Sequence, residues 1–108
     1  MKLKELYGSA IKLGIKHDPR GNKLVKEHLK KQQARYKSLK AEEKKNFDIE
    51  TLTNPYNDTR ILNGDPSLNV RTILCGIDID VGEILLADTL KRQGEKIDLI
   101  MSHHPSGR

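Results

Sequence analysis

Two short apolar runs separated by a helical segment impose the strongest constraint on how this chain can fold. Residues 70–79 are rich in β-branched and other apolar side chains, and residues 97–101 form a second apolar run. Between them, residues 81–93 carry apolar side chains at mixed helical spacing and end at Gly94. A strand, about a dozen helical residues and a second strand are the signature of a βαβ unit. We therefore predict an α/β fold in which the two strands are parallel and the first strand is buried on both faces.

The first half of the chain predicts helices instead of strands. Apolar residues recur at helical spacing over residues 3–14, a thinner apolar stripe covers residues 19–39, and a short helix is predicted over residues 41–47. Asp18 and Pro19 favour the start of the second helix, because aspartate caps helices well and proline suits the first turn.

Turn-forming residues separate the two halves of the chain. Asn-Pro, Asn-Asp and Asn-Gly-Asp-Pro combinations are dense over residues 48–69, which is typical of a connecting segment. We interpret the chain as lysine-rich N-terminal helices (residues 1–47), this turn-rich segment (48–69) and a βαβ unit (70–108). Together they are expected to form one incomplete domain, part of a larger α/β domain.

The composition supports only a small hydrophobic core. The chain has 108 residues, of which 35% are hydrophobic and 4% are aromatic, with no tryptophan. Both fractions are low for a self-sufficient globular domain, and a chain of this length buries only about 60–70% of its unfolded surface. We expect the sequence to be a fragment of a longer protein.

Positive charge is concentrated in the first half of the chain. Residues 1–50 hold 14 Lys and Arg against 7 Asp and Glu, whereas residues 51–108 hold 6 against 8. Such asymmetry permits an acidic partner such as nucleic acid, but solvated helix faces explain it equally well. Only Tyr36 interrupts the basic residues of the second predicted helix, so no stacking platform for bases is apparent. Nucleic acid is therefore not favoured as a partner, although composition does not exclude it.

Cysteine usage and hydropathy predict the compartment. Cys75 is the only cysteine, so a reducing environment is the default, and its place within the first strand predicts an inert core thiol. No apolar run approaches the ~18 residues that span a membrane, and the N-terminus lacks the apolar stretch of a secretory signal. We expect a cytoplasmic protein with no membrane partner.

Polar residues that can carry chemistry follow both predicted strands. Asp78 and Asp80 end the first strand, and Ser102, His103 and His104 end the second. Ligands of open α/β sheets lie outside the carboxyl ends of the strands, and imidazole is a common ligand of transition metals. His103 and His104 are therefore candidate metal ligands. Adjacent residues of an extended chain point to opposite sides, so the pair is expected to serve two ions rather than chelate one.

Two sequence patterns are similar to motifs of other enzyme classes. Asp78-Ile79-Asp80 after a buried strand is similar to the nucleophile motif of haloacid-dehalogenase-type phosphatases, but Gly82 stands where that motif needs Thr or Val. The favoured interpretation makes Asp80 the cap of the next helix and Asp78 a hydrogen-bond acceptor that orients a ligand. His17 followed by Asp18 is similar to a phosphohydrolase motif, and a helix-end role is favoured for it.

The order of these motifs resembles a known family. Residues 63–66 (Asn-Gly-Asp-Pro), 73–80 and 98–105 (Asp-Leu-Ile-Met-Ser-His-His-Pro) resemble the N-terminal part of the Nif-three-like dinuclear metal-centre family, also described as the GTP cyclohydrolase I type 2 family. The similarity covers about residues 54–105. Residues 56–59 match the family's Trp-Asp-Asn-x-Gly segment loosely, and the helices of residues 1–50 lie outside the common pattern.

The resemblance implies a toroidal homo-oligomer with two divalent metal ions per subunit in the full-length protein, with Zn, Fe, Mn and Ni indistinguishable. It assigns His103 and His104 as ligands. From its position beside them, Asp78 is expected at most to orient a ligand without binding the metal. The family's further ligands, a later Asp and a His-x-x-x-Glu motif, do not occur in these 108 residues.

The function implied by the resemblance is that of a hydrolase-like protein. It would use metal-activated water on a small-molecule or phosphate-containing substrate. Two alternatives stay open, a metal-binding regulatory or interaction protein without catalysis and a phosphatase that uses Asp78 as its nucleophile.

Overall fold

A computed structural model describes residues 1–105, apart from the side chain of Pro105. The elements of this part of the chain are α1 (Leu3–Lys16), α2 (Gly21–Ser38), α3 (Ala41–Lys45), a 3-10 helix (Ile49–Leu52), β1 (Ile73–Ile79), α4 (Val81–Arg92) and β2 (Leu99–Pro105). The predicted α/β class is confirmed. No helix within residues 1–105 is both long and apolar enough to cross a membrane.

The predicted βαβ unit is present, with two strands that pair in parallel. The register places Ile73 opposite Leu99 and Asp78 opposite His104, and α4 packs against β1. β1 starts three residues later than predicted, and β2 runs from Leu99 to Pro105 instead of 97–101. β2 continues through polar residues because backbone pairing does not require apolar side chains.

Local sequence signals determine both ends of α4. The Asp80 carboxylate accepts a hydrogen bond from the Val81 backbone N–H at 2.7 Å, and the Glu83 carboxylate accepts one from the Asp80 N–H at 2.8 Å. The Asp80 side chain also accepts from the backbone N–H of Glu83, and this bond together with the one from the Asp80 N–H to Glu83 forms a reciprocal capping box. At the other end, Gly94 has φ +100°, a backbone conformation that residues with a Cβ rarely adopt. The predicted capping role of Asp80 is confirmed.

The burial of β1 differs from the prediction. Ile79 is buried, but Cys75 is exposed and 69% of Ile77 is exposed. The predictions of a strand buried on both faces and of a core thiol at Cys75 are therefore wrong. The physical reason is that the sheet has only two strands and α4 alone packs against β1, which leaves much of the strand open to solvent.

Asp98 forms hydrogen bonds at the point where both strands begin. Its carboxylate accepts hydrogen bonds from the backbone N–H groups of Arg71 at 2.8 Å and Thr72 at 2.9 Å. Its own backbone N–H donates to the Thr72 carbonyl at 3.0 Å. The hydrogen bonds that the carboxylate accepts hold the pKa of Asp98 below its ordinary value. The bond from Thr72 has the larger effect and the bond from Arg71 the next.

Contacts within the chain divide it into two compact units, and the division falls within α1. The first unit contains residues 1–6 together with the described residues from Ile61 on. In it, the N-terminal residues pair with the segment before β1: Lys2 forms an antiparallel bridge with Asn69, and the Leu3 N–H donates to the Leu68 carbonyl at 2.9 Å. The chain start is thereby tied to the βαβ unit.

The second unit, residues 7–60, is helical. α2 packs against the 3-10 helix, Val25 of α2 is completely buried, and the rings of Tyr36 and Phe47 lie 5.1 Å apart. α2 begins at Gly21, not at the predicted Pro19. Gly21 has φ +80°, which is not a helical value, so residues 19–20 do not continue into the helix.

Gly94 and Gly82 provide a matched test of how α4 ends. Neither has a heavy atom within 4 Å of the place where a Cβ would lie, but only Gly94 has a positive φ. Gly94→Ala should therefore lower the free energy of unfolding by about 1–2 kcal/mol. Gly82→Ala, inside the helix, should raise it by up to about 1 kcal/mol. Urea unfolding of both variants measures this, and shifts of the same sign would contradict the described backbone.

Asp98 should make stability depend on pH. Because its pKa is lower in the folded chain than in the unfolded chain, Asp98 stabilises the fold above its unfolded-state pKa, and this contribution disappears as the pH falls through the folded-state value. Asp98→Asn keeps an oxygen acceptor but does not titrate, so its stability should fall less steeply between about pH 5 and pH 2. Urea unfolding at each pH measures the slope. Asp88→Asn, which removes an exposed carboxylate paired with Arg92 on α4, should retain a slope closer to that of the parent chain.

Candidate metal centre

Parallel pairing of the two strands brings the predicted site residues together. Asp78 of β1 and His104 of β2 are partners in the register, and side chains of paired residues project from the same face of a sheet. Oδ1 of Asp78 lies 3.0 Å from Nδ1 of His104. Both side chains are well exposed, 81% for Asp78 and 65% for His104, so the pair lies at the surface and is accessible to solutes.

This contact determines which nitrogen of His104 can bind a metal. A carboxylate oxygen accepts hydrogen bonds, so the imidazole donates its Nδ1–H to Asp78. Nε2 then carries the lone pair that a metal requires. The arrangement is the carboxylate–histidine pair by which proteins commonly orient a metal-ligating ring.

His103 lies beside His104 rather than away from it. The two ring centroids are 4.4 Å apart, with an angle of 40° between the ring planes, whereas adjacent strand residues were expected to point to opposite sides. The expected divergence is wrong because both side chains are exposed and no packed layer holds them apart, so the rings gain contact with each other. Both imidazoles therefore occupy one locality.

Ser102 holds the backbone at the same place. Its hydroxyl lies within hydrogen-bond distance of the carbonyl oxygens of His104 and, at 3.3 Å, of Ile77. These contacts connect the ends of β1 and β2 and position the chain that carries the two histidines. The sequence placed Ser102 at this edge but did not indicate these bonds, which depend on the register.

The donor set in this part of the chain is incomplete. Within residues 1–105, no group of three or more His, Cys, Asp and Glu side chains is arranged to hold a metal ion. Zn²⁺ in proteins takes four ligands or three with water, and His103 and His104 supply two. The two imidazoles fit a partial site, whose other positions would be filled by water or by groups outside the described residues.

The other candidate residues have structural partners. Asp80 caps α4. Asp18, whose side chain is 3% exposed, accepts hydrogen bonds from the Arg20 guanidinium at 2.8 and 3.0 Å and from the Tyr56 hydroxyl at 3.0 Å. The hydrogen bonds from the Arg20 side chain hold the pKa of Asp18 well below its ordinary value. The backbone N–H of Arg20, which also donates to Asp18, lowers that pKa further. Burial is the main cause that raises the pKa of the Tyr56 hydroxyl, and its hydrogen bond to the Asp18 carboxylate is the next.

The histidine pair lines neither of two cavities. One of about 330 Å³, within the helical unit, is lined by residues that include His17, Asp18 and Tyr56, and the bonds just described fix its wall. The other, of about 590 Å³, is lined by residues that include Arg71, Lys96 and Asp98, at the amino ends of the strands. The sequence indicated neither, because each combines residues far apart along the chain.

No model of a known protein family, no characterised protein and no solved structure matches this chain. The assignment of chemistry to the histidine pair therefore depends on the residues and their geometry.

Proposed function

We propose that this chain is the N-terminal segment of a dinuclear metal-binding, hydrolase-like protein of the Nif-three-like type, with His103 and His104 as metal ligands. The observation that carries the proposal is the 3.0 Å contact between Asp78 Oδ1 and His104 Nδ1, since it orients one imidazole as a ligand would be oriented. The position of the pair at the carboxyl ends of parallel strands supports the same site.

The residues of the chain have separate tasks in this proposal. His103 and His104 hold divalent ions, and Asp78 accepts the Nδ1 proton of His104 and fixes the ring. Divalent ions bound there would lower the pKa of water and supply a nucleophile near neutral pH. Ser102 holds the carboxyl ends of the strands together, which keeps the two rings in place. The substrate class we propose is a small molecule or one that contains phosphate.

Self-association is part of the proposal. Parallel sheets are usually covered on both faces, whereas large apolar side chains of the βαβ unit are exposed here: Ile77, Val81, Ile84, Leu85, Leu86 and Met101. A homo-oligomer would cover such a surface. The toroidal arrangement itself is supported only by the motif resemblance.

The histidine pair should dominate zinc binding by the chain. The four histidines permit a matched comparison, because His103→Gln/His104→Gln and His17→Gln/His28→Gln each remove two imidazoles. Zinc titration followed by calorimetry should show a weak site that disappears in the first double variant and persists in the second. Equal zinc affinity in both variants would remove the basis for the proposed site.

The same variants separate catalysis from binding. Zinc-dependent hydrolysis of a phosphate ester such as p-nitrophenyl phosphate should disappear in His103→Gln/His104→Gln if the chain supports turnover. Zinc binding without turnover by the parent chain would instead favour a metal-binding regulatory or interaction protein.

Replacement of Asp78 should weaken the site without abolishing it. Asp78→Asn removes the charged acceptor of the His104 Nδ1–H, and changes to such partners typically cost about 10–100-fold in metal affinity. Asp88→Asn removes an equal charge from α4, and its effect should be small because surface charges are screened. Zinc calorimetry of both variants measures the difference. Trapping of phosphate or beryllofluoride on Asp78 would contradict this role and favour the phosphatase alternative.

A further inference from the structure

The exposed face of α2 is a row of positive charges. Six of the residues in Gly21–Ser38 are Lys or Arg, and Glu27 is the only acidic one. With 3.6 residues per turn, four of the lysines fall within about 60° of one another around the helix axis. We call these four the lysine stripe: Lys23, Lys26, Lys30 and Lys37. All four are exposed.

The packed side of α2 lies about 120° around the helix axis from the lysine stripe. Val25 is completely buried, and Leu29, Gln32 and Tyr36 are half-buried. Because one side of the helix is held in the helical unit, the lysine stripe is presented outward on a rigid rod. It extends over about 21 Å, at 1.5 Å per residue. Within residues 1–105, no salt bridge engages any of its four ammonium groups.

Composition alone did not favour a nucleic-acid partner, since solvated helix faces account for an excess of lysine. The structure adds the arrangement: the lysines are aligned on one exposed face, along a fixed helix. We propose that the lysine stripe is a docking surface for the phosphodiester backbone of a nucleic-acid duplex. This inference is independent of the metal site.

Charge and shape favour that partner over other polyanions. A duplex carries about one negative charge per 1.7 Å of axis, counting both strands. Phosphates are therefore dense enough to meet ammonium groups that follow one another at about 4.5, 6 and 10.5 Å along α2. Tyr36 belongs to the packed side of α2 and contacts Phe47, so the stripe offers no stacking surface for single-stranded bases. An interfacial membrane helix inserts a continuous apolar face, whereas on α2 Val25 is buried and Leu24 is the one exposed large apolar side chain.

Contacts of this kind imply binding that depends on salt and not on sequence. Each phosphate neutralised by a lysine changes the slope of log K against log salt by about −0.9. Four contacts therefore predict a slope of about −4 for the parent chain. Removal of two lysines should bring the slope to about −2 and weaken binding roughly 10–100-fold at about 0.1 M salt.

The test is fluorescence anisotropy of the full chain with labelled DNA and RNA duplexes of about 20 base pairs, at about 50 to 200 mM salt. The variants are Lys26→Gln/Lys30→Gln on the stripe and, as a control of equal charge, Lys91→Gln/Lys96→Gln in the βαβ unit. Glutamine forms helices nearly as well as lysine. The stripe variant should lose affinity and slope, whereas the control should bind as the parent chain does. Lys26→Arg/Lys30→Arg should retain binding.

Each outcome has a defined meaning. Binding to both duplex types supports backbone contacts alone, and binding to one type supports the proposal and identifies the nucleic acid. Equal losses in the stripe and control variants, a slope near zero, or binding to phosphatidylserine vesicles or polyglutamate but not to duplexes would overturn it.

Discussion

The register between β1 and β2 is the constraint on which the candidate metal centre depends. Asp78 and His104 are 26 residues apart in the chain and meet only because the strands pair as they do. Since side chains alternate along a strand, a slip of one residue would move either partner to the other face of the sheet. Asp98, which holds the N–H groups of Arg71 and Thr72, aligns the strands at the opposite end. Asp98 at the amino ends of the strands and Asp78 near the carboxyl ends thus act on the same pair of parallel strands.

Much of the βαβ unit could be predicted because its signals are local. Asp80 and Glu83 form a capping box three residues apart, and Gly94 ends the helix within two residues of its last turn. Such signals act through neighbouring backbone groups, so a sequence reveals them directly. The positions of the strand ends are predicted less accurately from the sequence. β2 runs four residues beyond the apolar run, because pairing with β1 satisfies the backbone there whatever the side chains are.

Burial and ring geometry could not be predicted from the same pattern. The apolar character of residues 70–79 indicates that they can be buried, but not whether a second layer is present to bury them, and Cys75 and Ile77 are exposed. The contact between the His103 and His104 rings arises because their surroundings are open. Hydrogen bonds between residues far apart in the chain could not be predicted either. The Tyr56 hydroxyl donates to Asp18, 38 residues away, and no local sequence pattern indicates that the two residues are in contact.

The distribution of charge is consistent with two separate binding tasks. Residues 7–60, which contain the lysine stripe, hold 13 Lys and Arg against 7 Asp and Glu, whereas the rest of the chain holds 7 against 8. A cation bound by His103 and His104 is disfavoured by nearby positive charge, and a phosphodiester backbone is disfavoured by nearby negative charge. Had the lysines been spread evenly, they would have opposed metal binding in the βαβ unit and diluted the positive potential of α2. Their concentration in residues 7–60 leaves the unit that carries the histidine pair with a slight excess of acidic residues, which suits a cation.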